Sequence, residues 1–339
     1  FKSAERKPIK IKTDNNGIKS LELNNGKSIT GDLFIDCTGF KSLLLGKTMN
    51  EEFISYNNII PNNKAWATHI DYTNKEKQLQ GVTNATALKN GWVWNIPLWS
   101  RIGTGYVYSD KYTTDEKALE EFKQHIKDNG FKVPDKFSNI KMRIGIHKRL
   151  FVKNVCAIGL SAGFIEPLES NGLYTVHEFL SYLIRMFERD NISQWDRDTY
   201  NYACRNTFNN WAEFVSMHYA LSERDDSKYW KDNLDREYDK GISDLSAVQS
   251  HGFREHIDNK IYNFRYGEDS GIACISAGYG YFPLSDNTLK YANRVEKFDY
   301  TPYLLPIKHM DNRKKEWDEL VKDSPTLYEY LKKEVYNEL

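Results

Sequence analysis

Gly159-Leu160-Ser161-Ala162-Gly163-Phe164-Ile165-Glu166-Pro167-Leu168-Glu169-Ser170-Asn171-Gly172 follows directly on a short apolar run, Val155-Cys156-Ala157-Ile158. A run of that kind, ended by small residues, reads as a strand buried on both faces. Beyond Pro167 the apolar spacing changes to Leu173, Val176, Leu180, Leu183 and Phe187, the period of a helix. The helix N-terminus offers free N–H groups and the positive end of a dipole. The turn before it therefore suits a pyrophosphate or a halide without any basic side chain. Either Glu166 or Glu169 alone fits the preference of acids for a first helical turn. That preference leaves the small residues ahead of them unexplained.

Upstream, the first 45 residues read as a β-meander. Ile9 and Ile11 alternate with lysines, Asn15-Asn16-Gly17 and Asn24-Asn25-Gly26 supply turns, and Ile18, Leu21 and Leu23 lie between them. Leu33-Phe34-Ile35 is a buried strand ending at Asp36-Cys37-Thr38-Gly39, where backbone can approach a ligand closely. Taken alone, this is also an ordinary strand with a glycine turn. Residues 64–72 and 92–109 read as further strands. Within them, Trp92-Val93-Trp94-Asn95-Ile96-Pro97 sets two indoles on one face, as a wall or as core packing. Thr113 and Glu116 have capping-box spacing ahead of a helical face, Ala118, Leu119, Phe122 and Ile126, with Gly130 at its end. Downstream the chain reads as mainly helical to about residue 235, and residues 314–339 as one or two charged amphipathic helices. The expected organisation is a sheet-rich unit over 1–172 and a helical, aromatic-rich unit over 173–339.

Composition excludes several classes. The 339 residues hold 47 Lys plus Arg against 47 Asp plus Glu, so no general field attracts nucleic acid or an anionic membrane. No apolar run approaches the roughly 20 residues of a membrane helix. Cys37, Cys156, Cys204 and Cys274 are far apart and lack metal spacing. They read as reduced thiols of a cytoplasmic protein with no metal site. Gly103-Thr104-Gly105 and Gly278-Tyr279-Gly280 lack the third glycine of a dinucleotide fingerprint and read as strand or turn glycines. His218, in an apolar helical stretch, reads as a packed residue.

Taken together, the segments resemble the flavin-dependent halogenases, the family that includes the tryptophan halogenases. The WxWxIP motif stands as Trp92, Trp94, Ile96 and Pro97, the flavin segment as residues 34–40, and the GFxEPLES run as residues 163–170. His218-Tyr219-Ala220-Leu221, Arg224 and Trp230 continue the likeness, which covers most of residues 1–235.

The resemblance implies an α/β (α+β) fold: an FAD-dependent monooxygenase-like flavin module, incomplete at its N-terminus, with a helical substrate module. It implies that reduced FAD (FADH2), oxygen and halide yield hypohalous acid. This passes along a tunnel and halogenates an electron-rich indole, phenol or pyrrole. Glu169 is then the catalytic acid, followed by Ser170. The backbone N–H groups of Asn171 and Gly172 hold the halide, with Asn171 standing where the family has Thr. Trp92, Trp94, Ile96 and Pro97 wall the tunnel. Cys37, Thr38 and Gly39, with Gly159, Ser161, Ala162 and Gly163, contact the flavin. A separate flavin reductase and a small aromatic substrate are the implied partners, and a homo-oligomer is compatible with the reading.

The family's GxGxxG and essential Lys precede the point where this sequence starts. The expectation is therefore that these 339 residues alone neither halogenate nor bind FAD well. Lys41, Lys47 and Lys64 read as surface charges. The tryptophan-specific arrangement of paired Tyr, Glu and Phe-Trp is not found after residue 235, where Tyr266, Tyr279, Tyr281 and Phe282 are pocket candidates. The rival functions are an aromatic hydroxylase of the same fold and a non-catalytic remnant.

Overall fold

The structure, a computed structural model, describes residues 8–189, 191–236, 274–275, 278–279 and 301–337. Strands β1 (Pro8–Asp14), β2 (Gly17–Leu23) and β3 (Ser28–Ile29) form the meander, in that order. Asp14 pairs with Gly17 across Asn15-Asn16. Strand β4 (Phe34–Asp36) leads into a tight turn and a π-helical turn at Leu43–Thr48. Next come β5 (Phe53–Ser55), β6 (Lys64–Ile70), the short helix α1 (Lys75–Gln78), β7 (Asn84–Leu88), β8 (Gly91–Pro97) and β9 (Ile102–Tyr108). Helix α2 (Asp115–Asp128) precedes β10 (Ser138–Lys141), β11 (Gly145–His147), β12 (Phe151–Val152), β13 (Val155–Ala157) and β14 (Gly163–Phe164). The helical half holds α3 (Asn171–Met186), α4 (Gln194–Ala220), α5 (Lys228–Leu234), α6 (Thr301–Lys322) and α7 (Leu327–Tyr330).

The largest sheet is antiparallel, in the order β10-β6-β9-β8-β7. The pleat sends alternate side chains to opposite faces. In β8, Trp92 and Trp94 join the main hydrophobic cluster, while Val93 joins a second cluster with Tyr106, Tyr108 and Phe122. The first GxG falls inside β9. A Cβ on Gly105 would lie 2.1 Å from the Trp94 ring and 2.7 Å from Trp66 O, so the indole lies flat against bare backbone there.

Helix α2 covers the second cluster with Ala118, Phe122 and Ile126. It starts one residue later than the capping-box spacing suggests. Thr114, not Thr113, accepts from the Lys117 backbone N–H at 3.3 Å. Tertiary contacts set that start. Tyr108 OH and Lys64 Nζ each reach Asp115 Oδ1 at 2.8 Å, and Trp66 Nε1 donates to Asp115 O at 2.8 Å. Lys64 is thus paired rather than a free surface charge.

Two small sheets carry the rest: β14-β11-β5, antiparallel, and β12-β13-β4, in which β13 and β4 run parallel. The main cluster joins Phe34, Trp92 and Val155 to Phe179, Phe208 and Trp230, so it draws on both sides of residue 172.

Helix α3 differs from its expected orientation. Thr175, Phe179, Leu183 and Met186 are buried, while Leu173 (76% exposed), Leu180, Ile184 and Phe187 face outward. The helix is apolar on two faces, and periodicity alone cannot say which one meets the core. Helix α6 begins before the expected residue 314, and Trp317, Leu320 and Val321 on it are exposed.

Candidate active site

Two glycine turns lie side by side at the carboxyl ends of the parallel strands β4 and β13. Crevices at such ends are where open α/β sheets take their ligands. Gly39 and Gly159 both occupy the left-handed region, at φ 68° and 70°, where a side chain would be strained. No atom lies within 4 Å of a Cβ placed on Gly39. Cys37 and Leu160 are exposed beside them.

Other residues of these turns face inward. The buried Asp36 accepts from the backbone of Leu44 and Leu45, at 2.8 and 2.9 Å, and from the Thr38 hydroxyl at 2.6 Å. Thr38 Oγ1 in turn accepts from Leu43 N at 2.7 Å. Ser161 and Ala162 are fully buried, and Ser161 Oγ has no hydrogen-bond partner among the described residues. Gly163 permits β14 to approach β11, since a Cβ there would meet Gly145 O at 2.6 Å. Open glycine backbone at the ends of two parallel strands, with an orphaned hydroxyl behind it, fits the flank of a flavin. The surface that would hold it is Cys37, Gly39, Gly159 and Leu160.

The indole wall lies deeper. Trp92 is 5% exposed and its ring centroid is 6.2 Å from that of Trp94; Ile96 and Pro97 follow at the outer end of β8. Trp92 Nε1 donates to Glu166 Oε1 at 3.2 Å, and Asn62 Nδ2 donates to Glu166 Oε2 at 2.9 Å. The Tyr219 hydroxyl donates to Glu166 as well. Tyr229 OH closes the network by donating to Asn62 Oδ1 at 3.0 Å. Glu166 has no exposed surface. Burial pushes its carboxyl up to about 7, although the three donors pull the other way.

Glu169 stands one short loop further on, in a left-handed conformation at φ 67°, and Ser170 follows at φ 52°. Neither acid lies in the first turn of α3, contrary to the dipole reading: Glu166 precedes Pro167, and Glu169 lies in a tight turn ahead of Asn171. Glu169 Oε1 meets His218 Nε2 at 2.9 Å, and His218 Nδ1 meets Phe214 O at 3.0 Å. The bond from His218 holds the Glu169 carboxyl below the usual carboxylate range. Both ring nitrogens face acceptors, so the pair is fully satisfied when the imidazole carries two protons. Tyr279 lies edge-on to His218, centroids 6.4 Å apart, its phenol pushed up by burial and by the Glu169 charge. Asn171 is buried, and Gly172 opens on space with no atom within 4 Å of a Cβ placed there.

The sequence model of the family described as tryptophan halogenase matches residues 2–293. The chain belongs to the tryptophan halogenase family. Tryptophan 7-halogenase KtzQ of Kutzneria sp. (strain 744) is 31% identical over 328 residues, which are 93% of this chain and 60% of that protein. The apo structure of VirX1 matches with a TM-score of 0.85 at 38% identity, over 98% of this chain and 64% of that one. Tryptophan 6-halogenase SttH from Streptomyces toxytricini matches with a TM-score of 0.79 at 29% identity, over 96% of this chain and 64% of that one. The chain thus spans 60–64% of the length of these relatives.

In this member of the tryptophan halogenase family, the site includes residues with no local signal in the sequence. Asn62 lies in no motif, and His218 and Tyr219 come 49 and 53 residues after their partners Glu169 and Glu166. Arg224 and Trp230 fasten the end of the helical stretch to the β7–β8 hairpin, through Ala87 O at 3.0 Å and Leu88 O at 2.8 Å. Tyr266, Gly280, Tyr281 and Phe282 lie outside the described residues. Among the described residues, no cluster of His, Cys, Asp or Glu is arranged to hold a metal ion, and no helix is long and apolar enough to cross a membrane.

Proposed function

We propose that this protein acts in flavin-dependent halogenation of an electron-rich aromatic ring of the indole, phenol or pyrrole type. The observation that carries the reading is the Glu169 carboxylate. It is held in a left-handed turn, paired with His218, and joined by one short loop to the acid that bonds the indole wall. Bound reduced FAD would supply the electrons with which oxygen converts halide to hypohalous acid.

The remaining steps draw on the residues of this chain, together with the essential Lys that the resemblance implies. Cys37, Gly39, Gly159 and Leu160 would hold the flavin at the ends of β4 and β13. The N–H groups of Asn171 and Gly172 attract halide at the positive end of α3. Trp92 and Trp94 keep the aromatic substrate from the flavin. Glu169 accepts the O–H of hypohalous acid and turns its halogen toward the ring, with His218 keeping the carboxylate ionised. The ring gains the halogen and gives up a proton, which leaves with the hydroxide as water. A separate flavin reductase supplies the reduced cofactor, and the free thiols of Cys37, Cys156, Cys204 and Cys274 suit a reducing, cytoplasmic setting.

The test supplies the natural full-length protein with reduced flavin, oxygen, chloride, bromide or iodide and a panel of aromatic compounds, and reads products by mass. A halide-dependent mass gain that is lost in Glu169→Gln is the expected result. A gain of one oxygen instead makes the protein a hydroxylase.

A further inference from the structure

Residues 166–171 form a loop tied down at both ends by its own side chains. At the front, Glu166 takes hydrogen bonds from Trp92 on β8, Asn62 in the loop before β6 and Tyr219 in the last turn of α4. At the back, Asn171 is 2% exposed. Its Nδ2 donates to Leu168 O at 3.1 Å and lies 3.4 Å from Glu166 O. Between these ends stand two consecutive left-handed residues, Glu169 and Ser170, and neither is glycine. Such a conformation is strained for residues that carry a side chain and persists only where the surroundings impose it. The turn's own contribution is a single backbone bond, Ser170 N to Pro167 O at 3.0 Å, and the Ser170 side chain makes no cap. The two flanking side chains, with the Glu169–His218 bond at 2.9 Å, hold the strained pair.

Resting on the halogenase reading, we infer that Glu166 and Asn171 are positioning residues: together they fix the loop that presents the Glu169 carboxylate, and the Asn171 side chain serves the loop rather than the halide.

Two measurements test the inference on the natural full-length protein. The first follows the indole N–H of Trp92, assigned by its loss in Trp92→Phe, and the ring nitrogens of His218, which report on Glu169. Spectra are taken by NMR from about pH 5.5 to about 8.5, the range in which a carboxyl raised by burial titrates. The other titratable groups facing Glu166 are Tyr219, His218 and, through Asn62, Tyr229. The wild-type Trp92 signal should show an inflection that Glu166→Gln removes. The His218 signals should move in Asn171→Leu, which keeps the volume and deletes the donor. Signals indifferent to both substitutions overturn the inference. If Asn171→Leu does not fold, Asn171→Ala deletes the same donor.

The second measurement is bromide-dependent turnover with reduced flavin. Both variants should lose about tenfold in kcat, a modest misplacement penalty, with bromide KM within about twofold of wild type. A raised bromide KM at unchanged kcat would make the Asn171 side chain a halide ligand and refute the clamp. If wild-type protein yields no bromide-dependent product, the halogenase reading of this chain fails and the NMR signals alone decide the clamp.

Discussion

Glu166 and Glu169 are three residues apart and occupy opposite environments. Glu166 is sealed behind the indole wall among Asn62, Trp92 and Tyr219, and loss of water pushes its carboxyl up to about 7. Glu169 stands at the mouth of α3 with a third of its side chain exposed, and His218 holds it below the usual range. One loop thus presents the same chemical group twice, as a buried, donor-ringed carboxyl and as a partly exposed one paired with His218, because solvent and partners differ rather than the residue.

The largest effect separating the two acids is on chemistry. Glu169→Gln should lower halogenated product roughly 10²–10³-fold, the scale of losing one preorganised electrostatic contact. Its unfolding midpoint should stay near wild type, as mass spectrometry and a thermal melt would show. Glu166→Leu should act most strongly on stability, beyond its smaller effect on turnover. It leaves the Asn62, Trp92 and Tyr219 donors facing carbon, at roughly 1–3 kcal/mol for each stranded group, so urea unfolding should reveal a loss on the order of 3 kcal/mol. Trp92→Phe keeps the aromatic bulk and removes one of those donors, so a loss of about 1 kcal/mol is expected in the same assay.

Stability against pH gives the finest comparison. Folded Glu166 binds its proton more tightly than the unfolded chain does. Its contribution is therefore complete below about pH 4.5 and is lost as pH rises through about 7. Folded Glu169 holds its proton less tightly, so its contribution is present above about pH 4.5 and disappears as pH falls through its lowered value. Unfolding midpoints between about pH 5 and about pH 8 should accordingly fall with a slope that Glu166→Gln flattens and Glu169→Gln does not. Equal slopes in both variants would erase the contrast.

Local signals made part of this legible. The meander could be read because Asn15-Asn16 and Gly26 are turn residues whose preference needs no distant partner. The shared face of the two indoles could be read because alternation along β8 puts Trp92 and Trp94 on one side whatever the sheet packs against. Helix α3 shows where reading stops. Leu173 and Leu180 are as apolar as Phe179 and Leu183, and only the packing of α4 chooses between the faces. The start of α2 likewise shifted to Thr114 because Tyr108, Lys64 and Trp66 hold Asp115 from across the sheet.

His218 is the clearest loss. Its apolar neighbours argued for burial, and it is buried, yet its ring meets Glu169 from an element 49 residues away. Periodicity and turn chemistry are properties of neighbours in the chain, so strands, helices, the paired indoles and the acid-bearing loop followed from residue order. Which acid is buried, which is paired, and which helix face is open depend on elements distant in sequence meeting in space. Burial and charge pairing are set by those meetings, so only the folded molecule could assign the two carboxylates their separate roles.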